Sequence, residues 1–146
     1  MSTEENKAVV RRFYEVHNKG KEAVMAVIEE LYAPDYVLHG TGVLPDLDPA
    51  GVKQLYTAFL TAFPDMHIVV EDMIAEGDKV VCRVTLRGTH QGEFMGIPPT
   101  GKQVSWTGIG IDRFKDGKFV ERWMNEDDLG LMQQLGAIPQ MAQTGA

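Results

Sequence analysis

Cysteine occurs once in the 146 residues, at Cys82, so no internal disulfide can form. With no cysteine pair and no His-Glu-x-x-His pattern, no dedicated metal site is expected, and a reducing compartment suits the chain. Long apolar runs are absent as well. Nothing reaches the length that crosses a bilayer, and the opening Ser2-Thr3-Glu4-Glu5-Asn6-Lys7 is polar and acidic, unlike a leader. The expectation is a soluble, cytoplasmic protein with no membrane partner. Positive charge is in short supply, with 14 Lys and Arg against 21 Asp and Glu and a net charge of -7. The basic residues are scattered, which argues against nucleic acid as a partner, because proteins that bind it gather Lys and Arg on one face. Repeats, low-complexity tracts and linkers are missing too. Residues 1–146 therefore read as one domain, and 44% apolar content is enough to build its core.

What is present falls into two halves of different periodicity. Residues from about Thr3 to Asn18 read as a helix, with Ser2 and Glu5 as a capping box, Val9, Val10, Phe13, Val16 and His17 toward one side and Gly20 as the stop. A second helix carries Ala23, Val24, Val27, Ile28 and Leu31 at helical spacing and ends before Pro34. Asp48-Pro49 opens a third, because the carboxylate can accept orphan N–H bonds and proline tolerates the first helical position. Its apolar face runs Val52, Leu55, Tyr56, Phe59, Leu60 and Phe63, and Pro64 closes it. From His67 onward the period is two, with strands expected near 67–75, 79–90, 102–114 and 118–127. Glu76-Gly77-Asp78 and Lys115-Asp116-Gly117 join them as tight hairpins, and Gly96-Ile97-Pro98-Pro99-Thr100-Gly101 forms a stiff loop. Helices followed by antiparallel strands indicate an α+β fold, with three helices packed on one face of a bent sheet. The tail from Gln140 to Ala146 is expected to fray.

Several residues could carry chemistry. On the strand near 79–90 the even positions Val80, Cys82, Val84 and Leu86 are apolar, so alternation puts His90 on the core face unless a bulge intervenes. It reads either as an acid, base or donor to a ligand, or as a structural histidine bonded to a backbone carbonyl. His39, after Tyr36-Val37-Leu38, either looks into a pocket or caps a loop; His17 and His67 sit at element ends, solvated or packed. The last strand alternates Phe119, Glu121, Trp123, Asn125 and Asp127 on one face. Asp127 there is either a proton carrier desolvated beside Trp123 or the N-cap of the turn at Leu129 to Leu135, with Asp128 competing for that place. Glu121 has an ion-pair partner in Arg113 or Arg122. Tyr14, Phe59, Trp106 and Trp123 would together suit a flat apolar substrate, although both tryptophans also read as core. Gly108 and Gly110 face the same way as Trp106, which reads as close approach by a ligand or backbone, or as a bend. If they line the pocket, its floor is open and without functional groups.

Gly88-Thr89-His90-Gln91-Gly92, Gly96-Ile97-Pro98-Pro99-Thr100-Gly101-Lys102, Asp116-Gly117-Lys118 with Glu121, Trp123 and Asp127, and Gln134-Leu135-Gly136 resemble the SnoaL-like polyketide cyclases over nearly the whole chain. The resemblance implies the nuclear-transport-factor-2-like cone-shaped α+β barrel, paired as a homodimer across the outer sheet face. It also implies an intramolecular aldol closure of a polyketide methyl ester without metal or organic cofactor. The partner expected is a small hydrophobic or aromatic carbonyl compound. By its distance from the Gly130 turn, Asp127 matches the family's catalytic aspartate, which removes a C–H proton flanked by carbonyls and returns one to the new alkoxide. The polar side chains, a histidine among them, that hold substrate oxygens in characterised members fall where this chain has Gly108 and Gly110. His90 or His39 is the candidate replacement. The expected site is thus Asp127 and His90 for catalysis, with His39, Tyr14, Phe59, Trp106 and Trp123 around the substrate. Two other functions stay open: a non-catalytic binding module on the same cone, and an epoxide-hydrolase-like Asp-Arg-Asp arrangement using Asp127 with Arg113 or Arg87. Alternation turns Arg87 away from the apolar face.

Overall fold

Each helix begins where a short polar side chain meets orphan N–H groups. In the computed structural model, which describes residues 2–40 and 44–139, Ser2 caps α1 (Thr3–His17) by accepting from the Glu5 N–H. Asp48 caps α3 (Pro49–Ala62) by accepting from Gly51, with Pro49 in the first turn. Between them α2 (Lys21–Leu31) starts after Gly20, whose φ of 103° admits few other residues. The strands are β1 (Tyr32–His39), β2 (His67–Glu76), β3 (Lys79–Thr89), β4 (Gln103–Lys115) and β5 (Lys118–Glu126), and α4 (Asp128–Gln134) follows. The tail from Gln140 onward lies outside the described residues.

One sheet holds all five strands in the order β1-β5-β4-β3-β2. The α+β class stands, but the sheet is mixed rather than antiparallel, because β1 runs parallel to β5 with Val37 opposite Glu121 and His39 opposite Trp123. Its sequence hides this strand: Pro34 lies inside it, the register shifts between Tyr32 and Val37, and the partner is more than eighty residues away. The helices cover one face of the sheet. Val10, Phe13 and Tyr14 of α1, Val24, Val27 and Ile28 of α2, and Val52 and Leu60 of α3 are buried against Val80, Cys82, Val84 and Leu86 of β3 and Val104, Trp106 and Phe114 of β4. Each large apolar side chain so buried contributes roughly 1.5–3 kcal/mol of transfer free energy.

The β4–β5 hairpin decides which side chains enter this interior. Asp116 and Gly117 both have positive φ, 51° and 77°, as a tight turn matched to the twist of the strands requires. Beyond the turn Phe114 pairs with Phe119 but Arg113 pairs with Glu121, so Val120 is an extra residue on β5. This bulge shifts the alternation by one. Interior positions on β5 run Phe119, Arg122, Met124, Glu126, and Glu121, Trp123 and Asn125 face outward. An unbroken alternation from Phe119 gives the opposite assignment, and the structure corrects it.

Candidate active site

The deepest polar feature of the interior is an ion pair across β4 and β5. Asp112 and Arg122 are directly opposed in the ladder, and their side chains are 1% and 4% exposed. Arg122 donates from Nε to Asp112 Oδ1 at 2.6 Å and from Nη2 to Oδ2 at 3.1 Å, the bidentate geometry that a guanidinium and a carboxylate favour. Its remaining donors reach Tyr56 Oη of α3 at 3.1 Å through Nη1 and Tyr14 Oη of α1 at 3.3 Å through Nη2. The guanidinium carbon lies 5.2 Å from the Phe13 ring centre. Burial alone would lower the arginine pKa, but Asp112, then Tyr14 and Tyr56, outweigh it and hold the charge. Burial raises the phenol pKa values of Tyr14 and Tyr56, so both stay protonated. Nearby Tyr32 and Tyr36 present buried hydroxyls with no partner among the described residues.

Toward the open end of the strands the same face runs Gly110 opposite Met124, then Gly108 opposite Glu126. A Cβ at position 110 would stand 2.7 Å from Met124 Sδ; one at position 108 would meet Met124 Cε at 2.9 Å and Glu126 Cγ at 3.0 Å. The two glycines therefore leave space that Met124 and Glu126 fill, and the floor is not bare. Glu126 is partly buried and has no hydrogen bond or ion pair among the described residues. Burial, reinforced by the charge of Asp128 and opposed by Arg122, raises its carboxyl to about 7. Its charge helps to raise the pKa of the Tyr56 phenol, which accepts a hydrogen bond from Arg122.

Aromatic rings line the next step outward. Trp106 lies 5.3 Å from Phe63 and 6.4 Å from Phe59, and Phe94 bridges these two phenylalanines. The Trp106 indole is 2% exposed and its Nε1–H has no partner among the described residues. His90 is fully buried 5.6 Å from Phe63. Its Nδ1 accepts from the Thr100 N–H at 3.2 Å and lies 3.0 Å from the Thr100 hydroxyl, which leaves the proton on Nε2, also buried and without a partner among the described residues. Gln134 fastens α4 over this end by exchanging two hydrogen bonds with the Ser105 backbone, at 2.7 and 2.9 Å, and Leu131 and Leu135 pack beneath it.

The family model for SnoaL-like polyketide cyclases matches residues 7–135, from within α1 to the end of α4. The chain belongs to that family. It is 30% identical over 131 residues to the aklanonic acid methyl ester cyclase DauD of Streptomyces sp. (strain C5), covering 88% of this chain and 80% of that protein. It is 31% identical to the aklanonic acid methyl ester cyclase AcmA of Streptomyces galilaeus, covering 88% and 89%. Among solved structures, AclR of Streptomyces galilaeus, a suggested hydroxylase, superposes with a TM-score of 0.85 at 34% identity over 97% of this chain and 87% of its own. IdmH of Streptomyces antibioticus, a suggested polyketide cyclase, does so at 0.77 and 34% over 90% and 98%.

As a SnoaL-like chain it keeps some of the residues expected around a substrate inside and turns others out. Tyr14, Phe59, Trp106 and His90 belong to the interior. His90 bonds a loop residue rather than a backbone carbonyl. His39, Trp123 and Asp127 do not join them. His39 stacks on Trp123 at 4.9 Å and 15° on the outer sheet face, with its Nε2 2.7 Å from Glu121 Oε2. Hydrogen bonds from His39 and Arg113 lower the Glu121 pKa. Asp127 is exposed, and its Oδ1 accepts from the Gly130 N–H at 2.9 Å as the N-cap of α4. The Val120 bulge is the physical cause, since it moves Glu121 and Trp123 off the interior face and leaves Asp127 past the strand end. Arg113 pairs with Glu121 outside and Arg87 is exposed, so neither builds an acid–arginine site with Asp127. Sequence reasoning named Arg122 only as a partner for Glu121 and Tyr56 only as part of an apolar helix face, and gave Asp112 and Glu126 no role. Asp112 carried the signal: an acid at an interior β4 position needs a cation opposite it. Among the described residues no three His, Cys, Asp or Glu side chains gather as a metal site.

Proposed function

We propose that this chain is a cyclase or isomerase-type enzyme that closes a ring on a small polyketide-like carbonyl compound by acid/base chemistry inside the cone. The observation that carries the reading is the buried Arg122–Asp112 pair with Tyr14 and Tyr56, a charged island set in an aromatic wall. Fixed donors in such a site are worth more than in water, because nothing must reorganise as charge develops on a substrate oxygen. Tyr14, Phe59, Trp106 and His90 are its substrate contacts, with the unpartnered N–H groups of Trp106 and His90 available to carbonyl oxygens. These donors stand in for the polar side chains that Gly108 and Gly110 lack. The ring closes by a carbon–carbon bond between two carbonyl units of the substrate, and the enzyme only takes up and returns a proton, so the reading needs no metal or organic cofactor.

The test is incubation with a methyl ester bearing a 1,3-dicarbonyl unit and a tethered ketone. A ring-closed isomer of unchanged mass is expected, and Tyr56→Phe should slow its formation. Binding of the ester without any product would overturn the cyclase reading and leave a binding module. A second reading, hydrolysis of an epoxide, is favoured by one observation: Asp112, Arg122 and Glu126 succeed each other along a single interior face, acid, arginine, acid. It predicts incorporation of labelled oxygen from water into product, which the cyclase does not.

Pairing into a homodimer belongs to the same reading. The outer sheet face carries a cross-strand row of Ile74, Val81, Ile111 and Trp123, with Ile109 beside it. Ile74, Ile109 and Trp123 are 61%, 52% and 36% exposed, an apolar surface that a second copy would cover. Ile109→Lys should convert a dimer to a monomer in light scattering.

A further inference from the structure

We propose that Glu126, and not Asp127, is the proton carrier of the cone. The inference rests on the cyclase reading above. The two carboxylates are adjacent in sequence and opposite in situation. Asp127 points away from the interior, and one of its oxygens is already committed to the Gly130 N–H. Glu126 lies over Gly108 on the interior face, where a Cβ at 108 would stand 3.0 Å from its Cγ. No group among the described residues forms an ion pair or a hydrogen bond with it. An interior carboxyl without a partner is costly to keep, which is a reason to look for a chemical role.

A second observation marks the same spot as a place for a ligand. Trp106 is two residues from Gly108 on the same face of β4, and its buried indole N–H has no partner among the described residues. A donor nine-tenths buried and unsatisfied is expected to meet a ligand oxygen or water. Because Met124 and Glu126 fill the space over Gly108, a 1,3-dicarbonyl compound would lie against these two side chains, with the Glu126 carboxylate beside it and the Trp106 N–H toward one carbonyl.

The chemistry balances with no further reactant. The Glu126 carboxylate takes the proton from the carbon between two carbonyls, and the electron pair of that C–H bond becomes an enolate. The enolate carbon bonds to the tethered ketone carbon as the ketone C=O π bond opens to an alkoxide. The alkoxide then recovers the proton from the Glu126 carboxylic acid. Substrate and product are isomers, and Glu126 ends ionised. Burial sets its titration first, then the charge of Asp128 on the following helix, which raises it, and that of Arg122 on its own strand, which lowers it. The first step needs the ionised form, so turnover should rise as pH climbs through about 7.

The probe is an aryl 1,3-diketone methyl ester with a tethered ketone, followed in deuterium oxide for exchange at the central carbon and for ring closure. Glu126→Gln should lower exchange about 100-fold or more, Glu126→Asp should restore part of it with a displaced pH profile, and Asp127→Asn should stay within about twofold. Asparagine caps a helix as well as aspartate, so Asp127→Asn leaves α4 intact. Exchange retained in Glu126→Gln, or lost in Asp127→Asn, overturns the assignment even if the wild type closes the ring. Exchange that depends on Glu126 without ring closure sustains the assignment and overturns the cyclase reading. A wild type that neither exchanges nor cyclises overturns both.

Discussion

Two arginine–carboxylate pairs cross the same β-hairpin at the same distance, 2.6 Å from Nε to carboxylate oxygen, and do different things. Arg113–Glu121 lies on the outer face with side chains 34% and 24% exposed; Arg122–Asp112 lies inside at 4% and 1%. Outside, water and salt screen the attraction, and the pair serves mainly to hold His39 against Trp123. Inside, desolvation consumes much of the attraction, and the pair persists because bidentate geometry and two phenols satisfy nearly every donor. Distance alone therefore says little about what an ion pair is for. The buried one holds a full pair of charges inside the core.

The sharpest way to break this difference is to exchange the two faces. Inserting one residue after Val120, with the bulge kept, would set the added residue opposite Arg113 and Glu121 opposite Asp112. The shifted ladder would face Asp112 with Glu121 inside the core and turn Arg122 out. We expect loss of cooperative unfolding and of near-ultraviolet circular dichroism, whereas deleting Val120, the unpaired residue, should keep Arg122 opposite Asp112 and the fold intact. A well-folded insertion variant would show that the register at Val120 is incidental.

That same residue explains how much of the molecule is legible in its sequence. Helices α1 and α3 are legible because their signals are local: Ser2 and Asp48 sit within three residues of the N–H groups they cap. His90 is legible as a buried residue because β3 alternates without interruption. β5 is not, since an extra residue in the middle of a strand leaves no mark in composition. The one clue it carries is electrostatic. Counting back from the Asp116-Gly117 turn, an unbulged register opposes Asp112 to Glu121 and a bulged one opposes it to Arg122. Like charges facing each other in a core are costly, so electrostatics favours the bulged register on the strength of the residue types alone. β1 offers no such clue, because its parallel partner is remote in sequence. The same shift of one position puts Glu126 on the interior face and leaves Asp127 outside it, capping α4.

Next in size is the loss of a single interior partner. Arg122→Ala leaves Asp112 buried without a cation and should cost about 3–5 kcal/mol in urea unfolding. Replacing both partners with apolar residues, Arg122→Met with Asp112→Leu, should recover most of that stability while abolishing turnover. If the double variant is no more stable than Arg122→Ala, the pair contributes more to the fold than its desolvation permits.

Two interior groups should then tilt stability against pH in opposite senses. Burial lowers His17 from its usual 6.5 to about 4, so the folded state binds fewer protons than the unfolded one between those values. Stability from His17 is complete above about 6.5 and is lost as pH falls toward 4, by roughly 3 kcal/mol in all. Glu126 is raised, so its contribution is complete below its usual 4.5 and is lost as pH rises to about 7. The two slopes oppose each other over the shared range. Glu126→Gln should therefore uncover a steeper climb in stability from pH 4 to 6.5 than the wild type has, and His17→Phe should remove it. Parallel profiles for all three proteins would contradict the burial of one or both groups.

The smallest effect belongs to the outer pair. Glu121→Gln removes the carboxylate shared by Arg113 and His39 but strands no charge in the core, because both partners keep access to water. The expected cost is about 1 kcal/mol or less, and it should shrink in molar salt, where the Debye length falls to about 3 Å. Arg122→Ala should keep nearly its full cost in the same salt, since ions do not enter the core. Equal salt sensitivity of the two variants would mean that the pleat of one strand does not separate a screened pair from an unscreened one. The contrast between them would then rest on geometry rather than on burial.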